Sequence, residues 1–137
     1  MRLRAPGDGA VFEAEIERVG GLPLAEVAAE VMAKGFGPDG PGGPGKPGTL
    51  ESPGDAQRVG LAELVRAVSP ASAGRSVSAT QTLRFGFLIA EGLQALEHAS
   101  LIRVSWRGGF EDYHATRLGR AAVEQNAVGR VLDGERL

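Results

Sequence analysis

Residues 35–57 of this 137-residue chain hold most of its prolines and many of its glycines, and that bias limits what the whole can fold into. The stretch GFGPDGPGGPGKPGTLESPGDAQ buries too little apolar area to offset the entropy of ordering it, which predicts a flexible or disordered linker. It divides the chain unequally: an N-terminal helical segment over 1–34, the linker over 35–57, and a larger domain over 58–137. Inside it, Gly40, Gly45 and Lys46 come close to the pattern of a phosphate-binding loop. The next position of that pattern should be a hydroxyl residue holding magnesium, and Pro47 offers neither a hydroxyl nor an N–H. No β-branched run precedes the stretch and no helical pattern follows it, so composition accounts for the match. No cofactor is expected.

The chain as a whole is 42% hydrophobic and 23% charged, an ordinary balance for a soluble globular protein. It has no cysteine, which removes disulfides and thiolate metal sites. The first ten residues, MRLRAPGDGA, lack the apolar core of a signal peptide, and no apolar run approaches membrane-spanning length. A cytoplasmic location without membrane contact is the expectation. The net charge of −2 encodes no long-range attraction to nucleic acid. Its distribution is uneven: residues 1–59 carry 6 basic and 9 acidic side chains, residues 60–137 carry 9 basic and 8 acidic, and every cation of the second part is arginine.

Before the linker, EAEIERVGGLPLAEVAAEVMAKGFG predicts one or two helices, with Leu24, Val27, Ala28 and Val31 at helical spacing and Gly35 as the stop. The segment is too small to fold alone, so its apolar stripe packs on the second part or on another copy. After the linker, Leu61, Leu64, Val65 and Val68 mark a helix that ends before Pro70. The polar stretch ASAGRSVSATQ leads into a long helix from about Thr80 to Ala99, with Thr80 or Thr82 as N-cap. LIRVSW and EDYHA then read as two strands joined by Arg107, Gly108 and Gly109. A last helix follows through Leu118, Ala121, Ala122, Gln125 and Val128. The fold class is mainly α with one small β-hairpin.

Residues 92–124, GLQALEHASLIRVSWRGGFEDYHATRLGRAAVE, resemble a winged helix-turn-helix domain. Leu93, Leu96, Glu97, Leu101 and Ile102 match the end of the recognition helix and the entry to the wing strand; Tyr113, Thr116, Gly119 and Arg120 match the closing pattern. In that arrangement Leu93 and Leu96 face the core, Thr116 caps the next helix, and Gly119 allows close backbone approach. The resemblance implies a winged helix with extra N-terminal helices. One departure is Ser100, which stands where the family usually has glycine.

No catalytic constellation emerges, and the chain is not expected to be an enzyme. His98 and His114 lie in no ligand-spaced cluster, Glu13, Glu15 and Glu17 alternate as a solvated face does, and the serines of SPASAGRSVSAT have no base placed beside them. The resemblance implies instead a double-stranded DNA contact through Arg75, Arg84, Arg103, Arg107, Arg117 and Arg120, because arginine's planar fork suits phosphate and guanine. Thr80, Gln81 and Gln94 on the long helix complete that set. A homodimeric transcriptional regulator is the first reading. The second is a winged-helix module that binds protein: Phe85, Phe87, Leu88 and Ile89 cannot all face one small core, so one side meets a partner or the N-terminal helices. The polar stripe Arg84, Glu91, Gln94 and His98, together with Glu111 and Asp112 on the wing, is poorly suited to phosphate. Element order and arginine placement favour DNA; the acidic pI and the mixed helix face favour protein.

Overall fold

The computed structural model describes residues 7–43 and 58–137, and for Arg107 and Phe110 the backbone. It is mainly helical, with a small three-stranded antiparallel sheet. Helices α1 (Asp8–Gly20) and α2 (Leu24–Phe36) come first; β1 (Val59–Gly60), α3 (Leu61–Val68) and a 3-10 turn (Pro70–Ala73) precede the long helix α4 (Ala79–His98). Strands β2 (Ile102–Arg107) and β3 (Phe110–Ala115) form the hairpin, and α5 (Arg117–Glu124) and α6 (Val128–Leu132) close the chain.

The N-terminal helices are part of the one core. Phe12, Ile16 and Val19 recur on one face of α1, and Val27, Ala28, Val31, Met32 and Phe36 on one face of α2; all are buried. Helix α2 packs against α3, α4, α5 and α6, while α1 lies on α4 and the 3-10 turn. Val27, Ala28 and Val31 of the expected stripe are therefore covered by the same chain, while Leu24 is exposed. Helix α2 crosses α4 closely at Gly92, where a Cβ would stand 3.2 Å from Val27 Cγ1 and 3.4 Å from Ala28 Cα.

The linker expectation needs correction at its start. Helix α2 runs through Gly35 to Phe36, and residues 37–43 continue as ordered turns, with Gly42 N–H donating to the Gly35 carbonyl at 2.8 Å. Gly40, Gly42 and Gly43 are buried. A Cβ at Gly40 would sit 2.4 Å from the Lys34 carbonyl oxygen, so part of the glycine bias serves close backbone packing rather than looseness. The rest of the linker, with Lys46, lies outside the described residues.

The helix ends explain two further differences and the role of Ser100. Ser78, not Thr80 or Thr82, caps α4: its Oγ accepts from Gln81 N–H at 3.1 Å, and Gln81 Oε1 accepts from Ser78 N–H at 2.9 Å. Helix α4 closes with Ser100 at φ +63°, Leu101 N–H donating to the Leu96 carbonyl, and Ser100 N–H donating to the Glu97 carbonyl. That left-handed residue is why glycine is usual there. Asn126, at φ +52°, ends α5 the same way and splits the single last helix expected from the periodicity into α5 and α6.

The sheet runs β1–β3–β2, with Val59 opposite Tyr113 and Val104 opposite Tyr113 on its other side. Two residues of β1 are too few to carry a periodic signal. Gly108 and Gly109, at φ +58° and +86°, form the two-residue turn of the hairpin. Thr116 then ties three elements: its Oγ1 caps Gly119 N–H at 3.0 Å and donates to the Ser100 carbonyl at 2.7 Å, while its N–H donates to the Leu101 carbonyl at 3.0 Å.

A Cβ at Gly119 would fall 2.0 Å from the Leu101 carbonyl oxygen and 2.8 Å from Met32 Cε. Gly119→Ala is expected to lower unfolding free energy by at least about 2 kcal/mol in a denaturant titration. Ser100→Gly, which relieves the left-handed strain, should raise it by about 0.5–1 kcal/mol.

Candidate interaction face

Helix α4 carries apolar residues on two sides. Its inner side buries Phe85, Ile89, Gly92, Leu93 and Leu96. Phe85 meets Phe12 of α1 edge-on, with ring centroids 5.1 Å apart, and Leu88 is half-buried beside Gly20 of α1. Two residues expected on an interaction face, Phe85 and Ile89, are thus core residues: the N-terminal helices cover them. Phe87 is different. It is 64% exposed, and Leu83, one turn earlier, is 61% exposed.

Leu83 and Phe87 form one wall of a groove of about 830 Å³. Its floor is made by small residues of α4, Gly86 and Ala90, and its other wall by Leu61, Ala62, Val65 and Arg66 of α3. Ala90 also borders a second cleft, shared with Gln94, Glu97, Val104, Trp106 and Glu111, so the two are contiguous. Trp106, 70% exposed on β2, marks the far end. The whole face therefore starts apolar beside α3 and becomes polar and acidic toward the hairpin.

The residues expected to meet DNA fall into several groups. Arg84 Nη1 pairs with both carboxylate oxygens of Glu13 on α1, at 3.1 and 3.0 Å. Gln81 Nε2 donates to Glu13 Oε1 at 3.2 Å and to the Gly9 carbonyl at 2.9 Å. Those hydrogen bonds, Gln81's foremost and then Arg84's, hold the Glu13 carboxyl below its usual range. Both side chains are committed to positioning α1 on α4. Thr80 is exposed on the first turn, Arg75 is exposed in the preceding loop, and Gln94 lies beside the hairpin. The backbone of Arg107 ends β2; its side chain lies outside the description.

Arg103 and Arg117 line another cleft, of about 730 Å³, together with His114 and Glu97. Glu97 borders this cleft and the one beside Trp106, which places a carboxylate between these two arginines and the outer stripe of α4. Arg120 is half-buried near His114. Burial, followed by the charges of Arg58, Arg103 and Arg120, pushes the His114 imidazole below its ordinary value. Burial and the neighbouring Glu111 carboxylate raise the Tyr113 phenol, whose O–H donates to Glu111 Oε2. Further along, Arg18 is bound by Glu15 and Glu30, and Lys34 by Glu30, so the cations of α1 and α2 are matched by carboxylates.

Among the described residues no three His, Asp or Glu side chains gather as a metal site would require, and no helix is long and apolar enough to cross a membrane. The stretch LRFGFLIA, residues 83–90, was expected to meet a partner without Leu83 being singled out, and the α3 wall and Trp106 were missed. The signal available for Leu83 was the spacing of Leu83, Phe87 and Ala90, a second helical stripe opposite the core one. Comparison with protein-family models, curated proteins and solved structures finds no match to this chain.

The folded chain favours neutral His114, so a proton taken up there favours unfolding. Stability should fall as pH drops below the ordinary histidine value of 6.5 and through the depressed folded value. His114→Gln should flatten that fall between about pH 7 and 5, measured by urea unfolding at each pH.

Proposed function

We propose that the chain is a non-catalytic winged-helix interaction module of the cytoplasm whose long helix meets protein rather than duplex DNA. The β1–α3–α4–β2–β3 order and the β1–β3–β2 sheet support the winged-helix reading. The observation that carries the functional part is the outward stripe of α4. Where a DNA-reading helix presents polar and basic side chains to bases and phosphates, this one presents Leu83 and Phe87 over a groove lined by Gly86, Ala90 and Val65. A contiguous apolar patch rimmed by polar groups is the usual mark of a protein contact. Arg84, the one arginine on α4, is engaged by Glu13, and Glu97 and Glu111 put carboxylates, which repel phosphate, on the cleft beside α4. Phe87 and Leu83 act as anchors, and Arg66 with Glu97 as the charged rim.

A labelled duplex titrated with the chain across a salt series tests this reading. Retention near background, with no steep dependence on salt, is the expected result. A photo-crosslinking residue at position 87 should meanwhile give protein adducts in the native cells, lost when Leu83→Asp is added. Tight duplex binding that weakens steeply with salt, and whose slope becomes shallower in Arg103→Ala or Arg117→Ala, would overturn it.

A further inference from the structure

We infer that the occupant of the α3–α4 groove is a second copy of this chain, with the two α4 helices antiparallel about a two-fold axis near Gly86 and Phe87. The inference rests on reading this face as a protein contact. Shape and charge both support it.

The outer stripe of α4 has a ridge, Leu83 and Phe87, beside a trough, Gly86 and Ala90. A Cβ at Gly86 would meet no atom within 4 Å among the described residues, so a foreign side chain can lie directly on that backbone. A two-fold axis at this point lays Leu83 of each copy against Ala90 of the other, and Phe87 over Gly86. One ridge and one trough on the same helix thereby satisfy each other twice, as an isologous contact requires.

Charge selects the antiparallel direction. The N-terminal end of α4 has no acidic residue in its first turn, with Arg75 exposed before it and Arg66 on the groove wall. The C-terminal half carries Glu91 and Glu97, both exposed. Antiparallel pairing sets the positive end of each helix against the carboxylates of the other, whereas parallel pairing sets Glu97 beside Glu97. Trp106 flanks Ala90 and Gln94, so Leu83 of the second copy arrives next to the indole.

The intact chain offers clean probes, because Trp106 is its one tryptophan and it has no cysteine. Sedimentation equilibrium should show a concentration-dependent dimer, and Trp106 emission should move to the blue over the same range. Phe87→Cys should form a disulfide-linked dimer under mild oxidation, and Glu26→Cys, exposed on α2, should not. Leu83→Asp and Phe87→Asp alter exposed side chains, so thermal unfolding should be unchanged at dilutions where the parent chain is monomeric, while dimerisation weakens by at least ~30-fold. A dimer that survives both aspartates overturns the inference. A chain that stays monomeric and leaves duplex DNA unbound overturns the second copy as occupant but leaves the protein-contact reading standing. A monomer whose duplex binding is lost with Phe87→Asp overturns both.

Discussion

The close crossing of α2 over α4 at Gly92 fixes the rotation of α4, and the outer surface follows from it. With no side chain at Gly92, Val27 and Ala28 approach the α4 backbone directly, so that side of the helix must face inward. Leu83 precedes Gly92 by about two and a half helical turns and so points to the opposite side. Phe87 and Ala90 share its direction. Exposure of these residues is therefore a consequence of core packing on the far side of the same helix. Turning them inward would drive Phe85, Ile89 and Leu96 into solvent, three fully buried side chains each worth about 2 kcal/mol or more.

Helix α1 adds a second constraint. Its Phe12 covers Phe85, and its Glu13 engages Gln81 and Arg84. The ion pair lies at the surface, where solvent screens it, so its effect is positional rather than a large contribution to stability. It removes from the outer helix surface the cation best placed to meet a phosphate. What remains outward is apolar near α3 and carboxylate-bearing near the hairpin. The extra N-terminal helices thus decide the chemical character of the face as much as α4 itself does.

Much of the helical core was legible in the sequence because it is written in strong local signals. Apolar spacing marked α2, α3 and α4, the paired glycines marked the hairpin, and Thr116 and Gly119 play the capping and close-approach roles their spacing implied. Other features depend on contacts that no local pattern encodes. Strand β1 exists because β3 offers Tyr113 and Asp112 as partners, not because two residues prefer extension. Gly40 and Gly43 are ordered because the backbone packs where a Cβ could not fit, although the same composition suggests disorder. The candidate face was half legible: Phe87 was on it, while Phe85 and Ile89 belonged to the core. The packing of α1 and α2 on α4 separates the two groups.

Hydroxyl-radical footprinting of the intact chain, dilute and concentrated, tests the central claim most directly, since it reads the exposure of individual side chains. Concentration should protect Leu83, Phe87 and Trp106 together and leave Arg103 and Arg117 unchanged. Equal oxidation of those three residues at every concentration, with protection appearing only at Arg103 and Arg117 when duplex DNA is added, would contradict it.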